Sequence, residues 1–421
     1  MTVVPRSALR LAGLLALGAM LALPAQARPS RERTESRPPA LTNAPALRDG
    51  QAEQRLLRVY RLTAEGRSRE ALAEAEALVR DHPNFQLAQL ALGDLLAARI
   101  RPVRRVGDVP EPDTSRASEA AALLDELRIE SLQRVQAHKA RPPLGTLPAQ
   151  FLELPARTRH AIAVDTSRSR LYLFENSASG LRLVADYYVS VGKLGIDKSV
   201  EGDQRTPLGV YFITSRLDPN TLRDFYGVGA LPINYPNPLD QARGKTGSGI
   251  WLHGTPPEQF ARAPLATDGC LVLANPDLER LLRMVEPRST PVVIARQLQW
   301  VTPRDVQAQR QLFESVLEAW RSAKTAGDMQ RLLTFYASDF QSNRKKSLAD
   351  WTPVLQAEAR ALKGRDIELK DKSLLRWTDS AETMVVTFGE VARGARTGTV
   401  KRQYWIRRGQ QWQIFFEGVI G

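Results

Sequence analysis

The sequence predicts a multidomain α+β protein: an N-terminal α-helical region, a central and mostly antiparallel β-domain, and a C-terminal unit of helices followed by a curved antiparallel sheet. Three observations predict it. Ala- and Leu-rich helical periodicity runs from Leu56 to Ala98. Between about Leu154 and Arg296 it gives way to short apolar runs that alternate with period two. Beyond Pro303, amphipathic helical stretches come first and alternating strands follow. The 421 residues are 43% hydrophobic and 25% charged, enough apolar material to bury a core in each of two or three domains.

Residues 1–27 read as a cleavable signal peptide. Arg6 and Arg10 precede an apolar run from Leu11 to Leu23, and Ala25-Gln26-Ala27 offers a small-residue cleavage site. The run is short for a bilayer span, so an exported chain with no transmembrane segment after cleavage is expected. Residues 28–46 are Pro-, Arg- and Ser-rich without periodicity, a flexible leader. A helical region follows over 47–140 and ends at Arg141-Pro142-Pro143-Leu144-Gly145. Gly66, Ala71 and Pro83 stand at offsets resembling a tetratricopeptide repeat, and Leu92-Gly93 starts part of a second; an ordinary helical hairpin fits the same residues. So few repeats do not close a core alone, and these helices are expected to pack on the central domain. Another amphipathic helix spans 115–139, with Ser115 or Ser118 as cap.

The central domain is placed at 154–297. Strands are expected at Ile162 to Asp165, Arg170 to Glu175, Val184 to Val191, Gly209 to Thr214 and Val292 to Ala295, with a hairpin turn over Asn176 to Gly180. One helix is expected, Asn275 to Met284, capped by Asn275, with Pro276, Asp277 and Glu279 favouring its N-terminal end.

The single cysteine, Cys270, ends the run Thr267-Asp268-Gly269-Cys270, seventeen positions after the His253 of Trp251-Leu252-His253-Gly254-Thr255. A lone thiol closes no internal disulfide, which leaves a nucleophile served by the imidazole, or a small buried hydrophobe. Amide cleavage by sulfur needs a thiolate, a proton for the leaving amine and donors for the developing oxyanion. His253 can exchange the proton, and an imidazolium beside a thiolate is expected to depress the thiol pKa. The amides of Gly269 and Cys270 are the expected oxyanion donors. Thr267, Trp251, Tyr235 and Asn234 are candidates for substrate contact. The competing reading makes Trp251 packing, Thr267 a loop support, and Asn234-Tyr235-Pro236-Asn237-Pro238 rigid turn chemistry. Asp268, a like charge beside the nucleophile, is given no catalytic role.

Four blocks in order, Glu201-Gly202-Asp203-Gln204-Arg205-Thr206-Pro207-Leu208-Gly209-Val210-Tyr211, Leu231 to Pro238, His253-Gly254-Thr255 and Thr267-Asp268-Gly269-Cys270, resemble the YkuD-type L,D-transpeptidase family. The resemblance implies a β-sandwich in which Cys270 takes the acyl group of a peptidoglycan tetrapeptide stem and passes it to an amine, with the Gly254 carbonyl holding the second ring nitrogen of His253. Asp268 and Val272 depart from the commoner pattern, a histidine and a stem-binding arginine. The run Asp268 to Asn275 is similar to a sub-branch of cell-shape L,D-carboxypeptidases and lipoprotein-releasing peptidases, in which water replaces the amine. A non-catalytic wall-binding scaffold is the alternative from another functional class.

The segment 303–421 is read as a separate accessory domain. Helices are expected at Gln307 to Ala326, Met329 to Tyr336 and Asp350 to Lys363, then strands at Ile367 to Leu375, Thr383 to Glu390, Gly398 to Arg407 and Trp412 to Gly418. That order resembles the cone-shaped nuclear-transport-factor-like fold, a binding or scaffolding module. The formal charge of +13, about +11 without Arg6 and Arg10, favours anionic surfaces. Peptidoglycan stem peptides are the expected partner, with a lipoprotein or wall protein as a further one, and the periplasm is the expected location. Scattered basic residues argue against nucleic acid, and no cofactor or metal site is expected, because His and Cys form no cluster.

Overall fold

The computed structural model describes residues 48–108, 117–362, 364–378 and 381–420; the signal-peptide and leader segments, Ser115 and the side chain of Ser118 lie outside the described residues. Helices Gln51–Ala64, Ser68–Asp81, Gln86–Ala97 and Ala117–Lys139 form the N-terminal part. Their apolar faces, among them Leu56, Leu78 and Phe85, share one core with Tyr188, Phe260 and Ala274 of the central domain. Phe85 stacks on Phe260 with ring centroids 4.0 Å apart. A buried ion cluster fixes the same junction: Glu53 accepts from Arg134 at 2.8 Å and from Arg170 at 2.8 Å, and Arg170 reaches Asp186 at 2.6 Å. Burial works against the Glu53 carboxylate, yet the two guanidiniums hold its pKa below the ordinary value. Such a cluster contributes register more than net stability, since desolvation offsets most of the attraction.

The central domain is built on a six-stranded sheet in the order Arg48–Asp49, Gly180–Tyr188, Arg170–Ser177, His160–Asp165, Pro291–Ala295, Gly209–Phe212. Residues Ala161 to Val164 are all buried, which is why this strand reads as a continuous apolar run. The sheet is mixed: Arg48–Asp49 runs parallel to Gly180–Tyr188 and Pro291–Ala295 runs parallel to His160–Asp165, while the other pairings are antiparallel. A second, three-stranded sheet joins Ala230–Pro232, Trp251–His253 and Leu271–Val272. None of its strands exceeds three residues, too few to show alternation in the sequence. The helix Asn275–Met284 has the expected bounds, but its N-cap is Ala274.

The C-terminal part begins with helix Pro303–Ala326, where Thr302 and Asp305 form a capping box and Gly327 closes the far end in the left-handed region. Helices Met329–Leu333 and Leu348–Leu362 follow. The segment Tyr336–Ser342 is a strand, and its first residue had been expected to end a helix. It opens a sheet in the order Tyr336–Ser342, Gln411–Val419, Thr399–Arg408, Thr383–Ala392, Ile367–Trp377, Phe151–Glu153. The middle of this sheet is covered on both faces, and period two divides its side chains except at a bulge in Gln411–Val419, across which Ile414 and Phe416 face opposite sides. Leu374, Met384, Val386, Trp405 and Ile414 pack under the helices. Leu375, Trp377, Val385, Tyr404 and Phe416 join the core of the central domain. The sixth strand, Phe151–Glu153, comes from the segment ahead of the central domain, and Leu147–Pro148 pairs with Trp300–Val301 behind it.

Candidate active site

His253 pairs with Val272 across two parallel strands, and Cys270 lies two residues before Val272. Cys270 immediately precedes the strand Leu271–Val272, so thiol and imidazole belong to the two neighbouring strands of the small sheet. His253 is 1% exposed, and its Nδ1 donates to the Gly254 carbonyl at 2.7 Å. That bond sets the tautomer, leaving Nε2 with its lone pair available as a base. Gly254 is required there, because a Cβ would run into Oδ1 of Asn275. Asn275 accepts from the amides of Thr255 at 3.2 Å and Val228 at 3.3 Å, and donates to the Thr255 carbonyl at 2.8 Å. Its side chain therefore clamps the loop behind the histidine instead of capping its own helix, as had been expected.

The Cys270 Sγ donates to the Gly249 carbonyl at 3.4 Å. Burial pushes the thiol pKa up, opposed by a backbone hydrogen bond at Trp251 and by the Arg262 guanidinium. Burial also pushes His253 down to about 4, with the Arg262 charge adding to it against the pull of the Gly254 carbonyl. The expected thiolate–imidazolium pair is thus corrected: at neutral pH both partners are uncharged, because excluding water penalises either ion. The chemistry this allows is general-base catalysis, with the proton leaving sulfur as the sulfur attacks.

The loop before Cys270 is tied internally. Thr267 Oγ1 donates to the Cys270 carbonyl at 2.7 Å and accepts from the Gly269 amide at 3.1 Å. Gly269 was expected to lend that amide to an oxyanion; it is engaged with Thr267, so the residue acts through shape. Its φ is +123°, and a Cβ would lie 2.7 Å from the Arg205 carbonyl. Thr206 completes the brace by donating to the Gly269 carbonyl at 2.9 Å. Upstream, Asp203 accepts from Lys198 Nζ at 2.8 Å and from the amides of Ser199, Val200 and Arg205. Despite partial burial, those donors bring its carboxyl down to about 2. The first sequence block is therefore a loop-shaping device beneath the nucleophile.

Of the expected substrate contacts, Trp251 is half-buried against Tyr226, with centroids 4.9 Å apart. Thr267, Tyr235 and Asn234 are corrected to structural roles. Thr267 is consumed by its own loop. Tyr235 turns into the core, edge-on to Tyr211, and donates to the Thr246 carbonyl at 3.2 Å. Asn234 Oδ1 accepts from the Phe212 amide at 2.8 Å. Asp268 points outward, bonded to Lys193 and Gln204, each at 3.1 Å.

Sequence reasoning missed the aromatic wall and its cation. Tyr226 and Phe225 stand 5.0 and 5.7 Å from the His253 ring, and the Arg262 guanidinium lies 4.5 Å over Phe225. Burial lowers the Arg262 pKa, while the nearby Cys270 and Asp268 raise it. Adjacent aromatics in the polar stretch Arg223-Asp224-Phe225-Tyr226-Gly227 were the available signal; Arg262 had none. Among the described residues, no group of three His, Cys, Asp or Glu side chains is placed to hold a metal.

Residues 159–294 match the YkuD L,D-transpeptidase catalytic domain, with Cys270 and His253 inside the matched span. The central domain is a YkuD domain. Residues 312–418 match the Cds6 C-terminal NTF2-like domain, and this pairing of the two is what the fold displays. Among solved structures, Bd1075 of Bdellovibrio bacteriovorus is similar at 25% identity and a TM-score of 0.56, over 65% of this chain and 98% of its own. The helical cell shape determining protein Pgp2 of Campylobacter jejuni is similar in fold at 21% identity and a TM-score of 0.53, over 68% of this chain and 98% of its own. No curated protein matches the chain. The YkuD match supports a peptidoglycan enzyme of the L,D-transpeptidase and carboxypeptidase kind.

Proposed function

We propose that this protein is an exported, periplasmic L,D-peptidase that cleaves the terminal amide of peptidoglycan tetrapeptide stems through an acyl-enzyme on Cys270. One observation carries the reading: Cys270 sits at the start of the strand paired with that of His253, whose Nδ1 is held by the Gly254 carbonyl so that Nε2 is left as the base. As Sγ bonds to the scissile carbonyl carbon, its proton passes to Nε2. The C–N bond then breaks, and the imidazolium returns the proton to the departing amine, leaving a thioester. Arg262 is the cation best placed to meet a stem carboxylate, and Trp251, Tyr226 and Phe225 form the apolar wall.

Water is the acceptor we assign, which makes the activity that of an L,D-carboxypeptidase. Supporting this is the run Asp268 to Asn275, which resembles the sub-branch in which water replaces the amine. Transfer to an amine, the transpeptidase outcome, is the second reading, because the same thioester serves both. The N-terminal helices, read as a partial tetratricopeptide-like unit, would then present the domain to a wall partner.

Mass spectrometry of purified muropeptides incubated with wild type and with Cys270→Ala decides the matter. Tripeptides made only by wild type are expected. Dimers cross-linked 3–3 would establish transfer in place of hydrolysis. No turnover, together with no carbapenem adduct on Cys270 in the intact mass, would leave a wall-binding scaffold.

A further inference from the structure

A cavity of about 300 Å³ opens at the seam between the YkuD sheet and the facing side of the accessory sheet, and neither Cys270 nor His253 lines it. Its charged lining is three guanidiniums, those of Arg157, Arg288 and Arg402, against one carboxylate, Asp371. That carboxylate already has Arg157 at 3.6 Å. Arg402 is placed differently. Its guanidinium lies 3.9 Å from the centre of the Phe212 ring, and its Nε donates to Thr387 Oγ1 at 2.9 Å. No carboxylate among the described residues forms an ion pair with it, and burial holds its pKa below the ordinary arginine range. Its side chain is part-buried beside the Tyr404 hydroxyl, and a guanidinium partly withdrawn from water without a counter-charge carries a cost that stacking on one ring offsets only in part. Arg288 adds a second cation to the lining from a backbone at φ +65°, a sparsely populated conformation for a non-glycine residue.

We propose that this seam cavity is a binding site for a small oxyanion, a carboxylate or phosphate group, held by the outer nitrogens of Arg402 with Arg288 and the hydroxyl of Ser289 beside it. The planar fork of arginine matches either group bidentately. The cavity's size suits an amino acid, a short peptide terminus or a phosphate ester, and excludes a glycan strand. Because its walls come from both domains, an occupant would bridge them. The inference stands apart from the reaction at Cys270, and its readout is binding, not turnover.

Isothermal titration of the full chain with inorganic phosphate and with N-acetyl-D-alanine tests it, comparing wild type, Arg402→Met and Arg288→Met. Saturable 1:1 binding of at least one probe is expected, weakened about tenfold or more by Arg402→Met, since a charge-assisted bond is worth upwards of ~1.4 kcal/mol. Arg288→Met, which leaves the Phe212 stack intact, should weaken it several-fold, and it serves as the deciding variant if Arg402→Met does not fold. Carbapenem acylation of Cys270 should be unchanged in both. Preference for phosphate or for the carboxylate probe identifies the source of the anion. The proposal is overturned if neither probe binds wild type at millimolar concentration, or if the variants bind as tightly as wild type.

Discussion

The active site and the interior of the accessory domain both bury titratable side chains, and the exclusion of water has opposite results in the two. In the YkuD domain, His253 falls to about 4 and the Cys270 thiol rises, so both are neutral. In the accessory domain, Lys324 and Lys401 are at most 2% exposed, and although burial opposes the charge of Lys401, the carboxylates of Glu417, Glu390 and Glu358 raise its pKa. Lys324 Nζ lies 2.6 Å from Glu358 and 2.8 Å from Glu390, and Lys401 Nζ lies 2.7 Å from Glu358. Burial opposes the Glu358 carboxylate, yet the two ammonium groups hold it down to about 2. The difference is the counter-charge. A buried group without one loses its charge and keeps a transferable proton, whereas a buried group with one is locked in its ionised form.

The largest effect that would break this contrast is at the nucleophile. Cys270→Ala should lower muropeptide turnover by about 10³-fold or more and abolish the carbapenem adduct, with the melting temperature little changed. Next comes Lys401→Met, which leaves Glu358 and Glu417 short of a partner inside the accessory domain. A loss of about 3–5 kcal/mol in denaturant unfolding is expected, and a loss under 1 kcal/mol would show that the cluster is not charged as described. The histidine offers a finer measurement. Its folded pKa, about 4, lies below the unfolded value near 6.5, so its contribution to stability is complete above about pH 6.5 and is lost as pH falls through 4. Wild type should therefore lose up to about 3 kcal/mol more than His253→Gln between pH 7 and pH 4. The acid limb of kcat/KM should likewise lie nearer pH 4 than 6.5. Smallest is Lys193→Ala, which removes the exposed partner of Asp268 and should alter stability by no more than about 0.5 kcal/mol.

Cys270, His253 and the glycines beside them stand out in the sequence because the chemistry proposed for them resides in residue type and short spacing. The long strands were legible for the same reason, since alternation over five or more residues survives without tertiary information. The strands Ala230–Pro232 and Trp251–His253 are too short to alternate, so the sheet that brings base and nucleophile together was hidden. Protonation was hidden too: the pairing of thiol and imidazole suggests ions, and only the depth of burial reverses it. Tyr235 was misread because a Pro-rich loop ordinarily lies at the surface, and this one turns its ring inward. Asn275 shows the converse, a residue in a helix-capping position whose side chain is taken by a loop twenty residues away in the chain.

The crossing of Leu147–Pro148 with Trp300–Val301, and the seating of Phe151–Glu153 at the edge of the far sheet, tie the two domains together where the chain enters and leaves the YkuD domain. Head and handle share one apolar core. A tether that grips the handle would fix the angle at which the thiol meets the wall, and a fragment cut at either junction would expose a raw apolar flank in place of an enzyme.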